Sequence, residues 1–196
     1  MKKIFLVAAA VILMTSGLAA QNSKNFEMYV QPTFGFGIAF NNYNAFGLDA
    51  GLDIVFKVWE HNKKAGGKMF AGIDTGFQYW VPTRSIGVYS RRNHIFTMPV
   101  TGYFSYEFKI NAGALAYAGP FITFGVSFDV QHTVYEDDAV ESSGVKQTAT
   151  NFYPNFANSF GGTLVFTNNW VFKQSFAWSS VNYYWGMFLL EAGYRF

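Results

Sequence analysis

Between Phe46 and Trp59 every second residue is apolar. Phe46, Leu48, Ala50, Leu52, Ile54, Phe56 and Val58 share one parity, while Asp49, Asp53 and Lys57 all fall on the other. A helix, with its period of 3.6, would scatter those charges round its circumference, whereas an extended strand gathers them on one side. The stretch is also long. A strand that crosses a bilayer needs roughly 9–11 residues, against about 5–6 for an ordinary strand.

The same alternation recurs along the chain. It predicts strands over 26–40, 46–59, 68–81, 94–109, 114–130, 156–166, 170–178 and 184–196, eight in all. In the last of these, Tyr184, Gly186, Phe188, Leu190, Ala192, Tyr194 and Phe196 form an apolar face, and Glu191 and Arg195 lie opposite. Connections at 60–67, 110–113 and 167–169 gather at one end, and those at 41–45, 82–93, 131–151 and 179–183 at the other. The longest fall on the second end, which is the arrangement of a membrane barrel with short periplasmic turns and long outer loops.

Alternation leaves open which face is outside, and bulk decides it. The chain has 23 Phe, 12 Tyr, 5 Trp and 19 Gly. An eight-stranded barrel has an interior only just wide enough for side chains to fill. The aromatic face is too bulky for that space, while the other is rich in Gly, Ser and Thr. The fold expected is therefore an all-β, antiparallel, eight-stranded transmembrane up-and-down β-barrel with its Phe-rich face in lipid and its charges enclosed.

Residues 1–20 read as an export signal: Lys2 and Lys3, an apolar run from Ile4 to Met14, then small residues to Ala20. The expected barrel domain is 21–196, placed in the bacterial outer membrane. The signal holds two of the 14 basic residues and none of the 12 acidic ones, so the remainder is formally neutral. That balance gives no electrostatic case for a nucleic-acid partner. The absence of cysteine excludes a disulfide framework.

The terminal Gly193–Tyr194–Arg195–Phe196, and the mid-strand prolines of Thr97–Met98–Pro99–Val100 and Ala118–Gly119–Pro120–Phe121, carry a resemblance. The chain resembles the small eight-stranded outer-membrane barrels of the kind seen in the OmpA transmembrane domain, OmpX and OmpW, over nearly all of the expected barrel domain. The resemblance implies that Tyr194 and Phe196 are read by the barrel-assembly machinery. It departs from the family signal at position 191, where Glu stands in place of a frequent glycine. Proline cannot donate to a ladder, so Pro99 and Pro120 are expected to mark bulges.

The expected enclosed charge network is Asp49, Asp53, Lys57, Asp74, Glu107, Lys109, Lys173, Glu191 and Arg195, with Asp129 on the same face. Buried charges must be paired, which favours a packed lumen over a conducting one. Arg84, Arg91 and Arg92 are candidates for lipopolysaccharide-type head groups or another anion at the outer rim. Loop 131–151 is the candidate for an extracellular ligand. His61, His94 and His132 lack the His-x-Ser spacing of the lipid A deacylases and read as solvated loop residues; no metal, cofactor or catalytic set is expected. The function expected is a non-enzymatic structural or surface-interaction protein of the outer membrane. A small pore for ions or slender apolar solutes, as the OmpW likeness implies, is second, and a lipid-modifying barrel enzyme third.

Overall fold

A computed structural model describes residues 27–40, 45–61, 66–82, 90–136, 147–179 and 186–196. Residues 1–20, Arg84 and the middle of loop 131–151 lie outside them. Eight strands follow one another round a closed antiparallel barrel: β1 (Met28–Phe40), β2 (Ala45–Glu60), β3 (Gly67–Pro82), β4 (Ser90–Ala112), β5 (Leu115–Glu136), β6 (Gln147–Phe166), β7 (Trp170–Ser179) and β8 (Gly186–Tyr194). β8 pairs with β1, so no edge remains in the wall.

Cross-strand partners followed round the ring from Met28 are Phe56, Ala71, Phe104, Ile122, Phe160, Phe176 and Phe188, returning to β1 at Ile38, ten residues farther along. That stagger tilts the strands, as closure of a barrel requires. Every residue on the circuit is apolar and points outward. Phe34 is 62% exposed and Phe160 52%, whereas Asp53 and Glu107 on the other parity are 1% exposed. The aromatic face is the outer one. A surface so apolar and continuous belongs in hydrocarbon.

Aromatic rings gather at the periplasmic edge. Tyr194 meets Trp170 at 6.0 Å and Phe196 at 4.9 Å. Trp59, Tyr106 and Phe108 continue the belt on the far side, the position at which amphipathic rings suit the interface.

Three features differ from the sequence reading. Neither Pro99 nor Pro120 makes a bulge. The β3–β4 ladder skips from Thr75↔Val100 to Gln78↔Thr97, and β4–β5 from Ser105↔Phe121 to Phe108↔Ala118, with register kept. The ladder loses contacts where the prolines have no N–H to give, and the strands do not shift. Pro32 does the same between β1 and β8, after which Val30 and Phe196 exchange backbone hydrogen bonds at 3.4 and 3.0 Å. The actual shifts fall near the periplasmic ends, at Lys57/Trp59, Lys109/Ala112 and Leu115/Tyr117.

The third difference is length. β4, β5 and β6 run to 23, 22 and 20 residues, so both flanks of the expected loop 131–151 are strand, as are Arg91 and Arg92. Gln131–Glu136 and Gln147–Phe156 are polar enough to read as loop, yet Thr133, Val134, Thr148 and Thr150 are β-branched and pair in register.

Candidate functional site

The lumen is built in layers, each set by inward parity. Nearest the outer end, Trp80 of β3 packs with Ala39, Ala45, Ile95, Ala177, Met187 and Leu189. The ring fits because its neighbours are glycines: a Cβ on Gly37 or Gly47 would run into Trp80. Below this apolar layer lies a cavity of about 60 Å³, lined by Asp49, Asp74, Gln78, Thr101, Lys173 and Glu191 among others.

Beneath it a continuous chain of contacts crosses the barrel. Lys173 Nζ donates to both oxygens of Asp53, at 3.2 and 3.0 Å, and lies 3.8 Å from Glu191, its cross-strand partner. Thr33 donates to Glu191 at 2.8 Å, and Gln31 to Asp53 at 2.8 Å. The same Gln31 accepts from Arg195 through its Oε1, at 3.2 and 3.1 Å. Arg195 closes the chain with a two-pronged pair to Glu107, at 3.0 and 2.7 Å. Such bidentate pairs are among the stronger charged contacts.

The two cations are also stacked on rings. The Arg195 guanidinium lies 4.7 Å from the centre of Tyr29 and 5.6 Å from Phe70; Lys173 lies 5.6 Å from Tyr103 and 5.2 Å from Phe121. These rings and Val55 form a second apolar cluster in the lower lumen. Sequence reading treated the interior as small residues and made nothing of Phe70, Trp80 and Phe121. Their signal was parity: each sits at an inward position of its strand.

The predicted charges divide into four groups. Asp53, Glu107, Lys173, Glu191 and Arg195 are joined directly, and Asp49 and Asp74 flank them at the cavity. Asp53 and Asp74 are cross-strand partners, so two carboxyl groups face each other there. Lys57 belongs to a separate cluster at the periplasmic rim, with Glu27 at 2.8 Å and Glu60 at 2.9 Å. Lys109, two residues past Glu107 on the same parity and still in register with Tyr117, is exposed and stands outside the network. Asp129 lies higher, accepting from Asn155 at 2.7 Å.

Glu27 gives the rim cluster a pH signature. Its partial burial works to raise its pKa, but hydrogen bonds from Lys57, Lys68 and Tyr29 outweigh this and hold the carboxyl at about 2 instead of 4.5. A carboxylate depressed on folding stabilises above its unfolded pKa and loses that contribution as pH falls through its folded pKa. Urea midpoints of the wild type and Glu27→Gln are therefore expected to differ most above pH 5 and to converge toward pH 2. A gap that does not change with pH would contradict this.

At the outer end, His94 and His132 are cross-strand partners on the outward parity. His94 Nδ1 is 2.7 Å from the Tyr79 hydroxyl, and His132 Nδ1 is 3.0 Å from that of Thr150. His61 lies by the first periplasmic turn, its ring 5.2 Å from Trp59. Arg91 and Arg92 lie in β4 opposite Tyr135 and Val134. Among the described residues no group of three metal-ligating side chains comes together.

A closed, tilted, eight-stranded barrel with an aromatic exterior and an ion-paired interior defines a small transmembrane β-barrel of the bacterial outer-membrane type. No protein-family model matches the chain, and no curated protein does. Among solved structures it is similar to Ail, the attachment invasion locus protein of Yersinia pestis, at 16% identity over 87% of this chain and 98% of that one, with a TM-score of 0.49. It is similar to Neisserial surface protein A at 12% identity over 88% and 98%, with a TM-score of 0.47. The outer-membrane enzyme PagL aligns at 17% identity over 85% and 97%, with a TM-score of 0.37.

Proposed function

We propose that this chain is a non-enzymatic outer-membrane protein with a closed lumen, whose work is done on its outer surface and in the surrounding lipid. The observation that supports this most is the stacking of three seals within one narrow barrel. These are the Trp80 layer, the Lys173–Asp53–Gln31–Arg195–Glu107 chain, and the aromatic cluster beneath Lys173. A conducting pore needs sites an ion can both enter and leave. Here the ammonium and guanidinium groups occupy the carboxylates themselves.

Surface contact falls to the outer end, where β4–β6 extend past the neighbouring strands. Arg84, Arg91 and Arg92 are offered there for lipopolysaccharide-type phosphates, and the connection between β5 and β6 for an extracellular ligand. The same reading takes residues 1–20 as a removable export signal. It takes Tyr194 and Phe196, outward at the periplasmic edge, as the assembly signal. The histidines lack the His-x-Ser spacing of the lipid A deacylases, and the hydroxyls at Nδ1 of His94 and His132 belong to Tyr79 and Thr150. Purified protein added to planar bilayers is expected to leave them silent. Steady unitary conductance that shifts in Asp53→Asn would replace this reading with the pore.

A further inference from the structure

The outward residues of β7 are Trp170, Phe172, Gln174, Phe176 and Trp178. Four are aromatic and the fifth is a carboxamide. Tryptophans mark the two interfaces of a membrane barrel, so Gln174, midway between them on the strand, lies near the centre of the hydrocarbon. An amide there has no water to bond, and leaving it unpaired is costly.

Other outward polar groups are provided for. Thr75 donates to the Pro99 carbonyl at 2.8 Å, filling the gap that proline leaves in the ladder. Asn158 is the cross-strand partner of Trp178, at the outer interface where water reaches. The Gln174 amide has no comparable partner among the described residues.

Around it the outside of the wall is recessed. A groove of about 660 Å³ is lined by Phe34, Phe36, Leu164, Phe172, Gln174 and Leu190 among others. At Gly162, the β6 partner of Gln174, an added Cβ would meet only the Gly119 carbonyl oxygen at 3.9 Å and Gln174 Nε2 at 4.0 Å. Small residues of this kind let two membrane proteins approach closely, and side-chain amides hold such contacts together.

We propose that this groove is the contact face of a homodimer in the membrane, with the two Gln174 carboxamides hydrogen-bonded across a two-fold axis. A carboxamide carries both donors and an acceptor, so it is complementary to a second copy of itself. A two-fold contact brings the same patch of each subunit together. The midplane stretch of an acyl chain has neither donor nor acceptor and cannot satisfy the group. A second copy presents a carboxamide at the same depth and pairs the amide.

The test is the oligomeric state of the full protein in lipid nanodiscs or mild detergent, by light scattering over a protein-to-detergent series. The wild type is expected to be dimeric and Gln174→Leu to associate about tenfold more weakly, with both folded by their heat-modifiable gel mobility. A second readout leaves the amide in place. Leu190→Cys, beside Gln174 in the groove, is expected to form an intermolecular disulfide in membranes, and Phe104→Cys on another part of the wall is not. A monomeric wild type, a Gln174→Leu dimer as tight as wild type, or equal crosslinking at both cysteines overturns the proposal.

Discussion

Lys173→Met is expected to destabilise the lipid-embedded barrel by about 3–5 kcal/mol, the cost of breaking a buried ion pair from one side. Lys173 is 3% exposed and donates to Asp53, itself 1% exposed, while standing 3.8 Å from Glu191. Asp49 and Asp74 share the cavity with it. Removing the ammonium leaves these carboxyl groups enclosed with Arg195 as the nearby cation among the described residues, and it is already committed to Glu107. Methionine fills similar space, so the loss is electrostatic and not a cavity effect. Urea titration of the protein refolded into vesicles, read by the gel mobility of the folded band, measures it. A loss below about 1 kcal/mol, the range of exposed ion pairs, would mean that the network is solvated and the lumen open.

Gly119→Val is expected to cost about 3 kcal/mol or more, beyond the usual range for overpacking. A Cβ at Gly119 would run into the backbone carbonyl of Tyr106 on β4, beside Pro120. A backbone atom within a closed ladder cannot move aside as a flexible side chain can. Gly102 supplies the control on the same sheet, since its Cβ would have only ordinary contacts at 3.7 Å. Gly102→Ala is expected to be neutral or to stabilise slightly, because alanine narrows the unfolded ensemble. Folded yield on dilution from urea into vesicles compares the two. Equal yields would show that Gly119 is not needed for the close approach.

The strands, their order and the outward face were legible in the sequence because one property, parity, fixes all three. Phe46 to Val58 against Asp49, Asp53 and Lys57 already contains the result. What parity could not give was the third dimension within the lumen. That Glu107 of β4 meets Arg195 of β8 across the barrel depends on the stagger of ten residues round the ring, which no single strand displays. Trp80 was overlooked because the room for it comes from Gly47 opposite and Gly37 one strand farther, a register fact. Lys109 stands two residues past Glu107 on the same parity and is exposed, a difference in depth that parity does not display. The outer ends of β5 and β6, 131–136 and 147–155, were missed because hydropathy fades where the strands leave the lipid, although their β-branched residues persist.

The direction of the aromatic face underlies each of these expectations, and spin labels along β2 test it residue by residue. Single cysteines from Leu48 to Phe56, labelled in reconstituted vesicles, are read by collision with oxygen, which concentrates in hydrocarbon. Labels at positions 48, 50, 52, 54 and 56 are expected to be accessible to oxygen, and those at 49, 51, 53 and 55 to be protected, in strict alternation. The opposite phase, or no alternation at all, would contradict a barrel that presents its phenylalanines to lipid and keeps Asp49 and Asp53 enclosed.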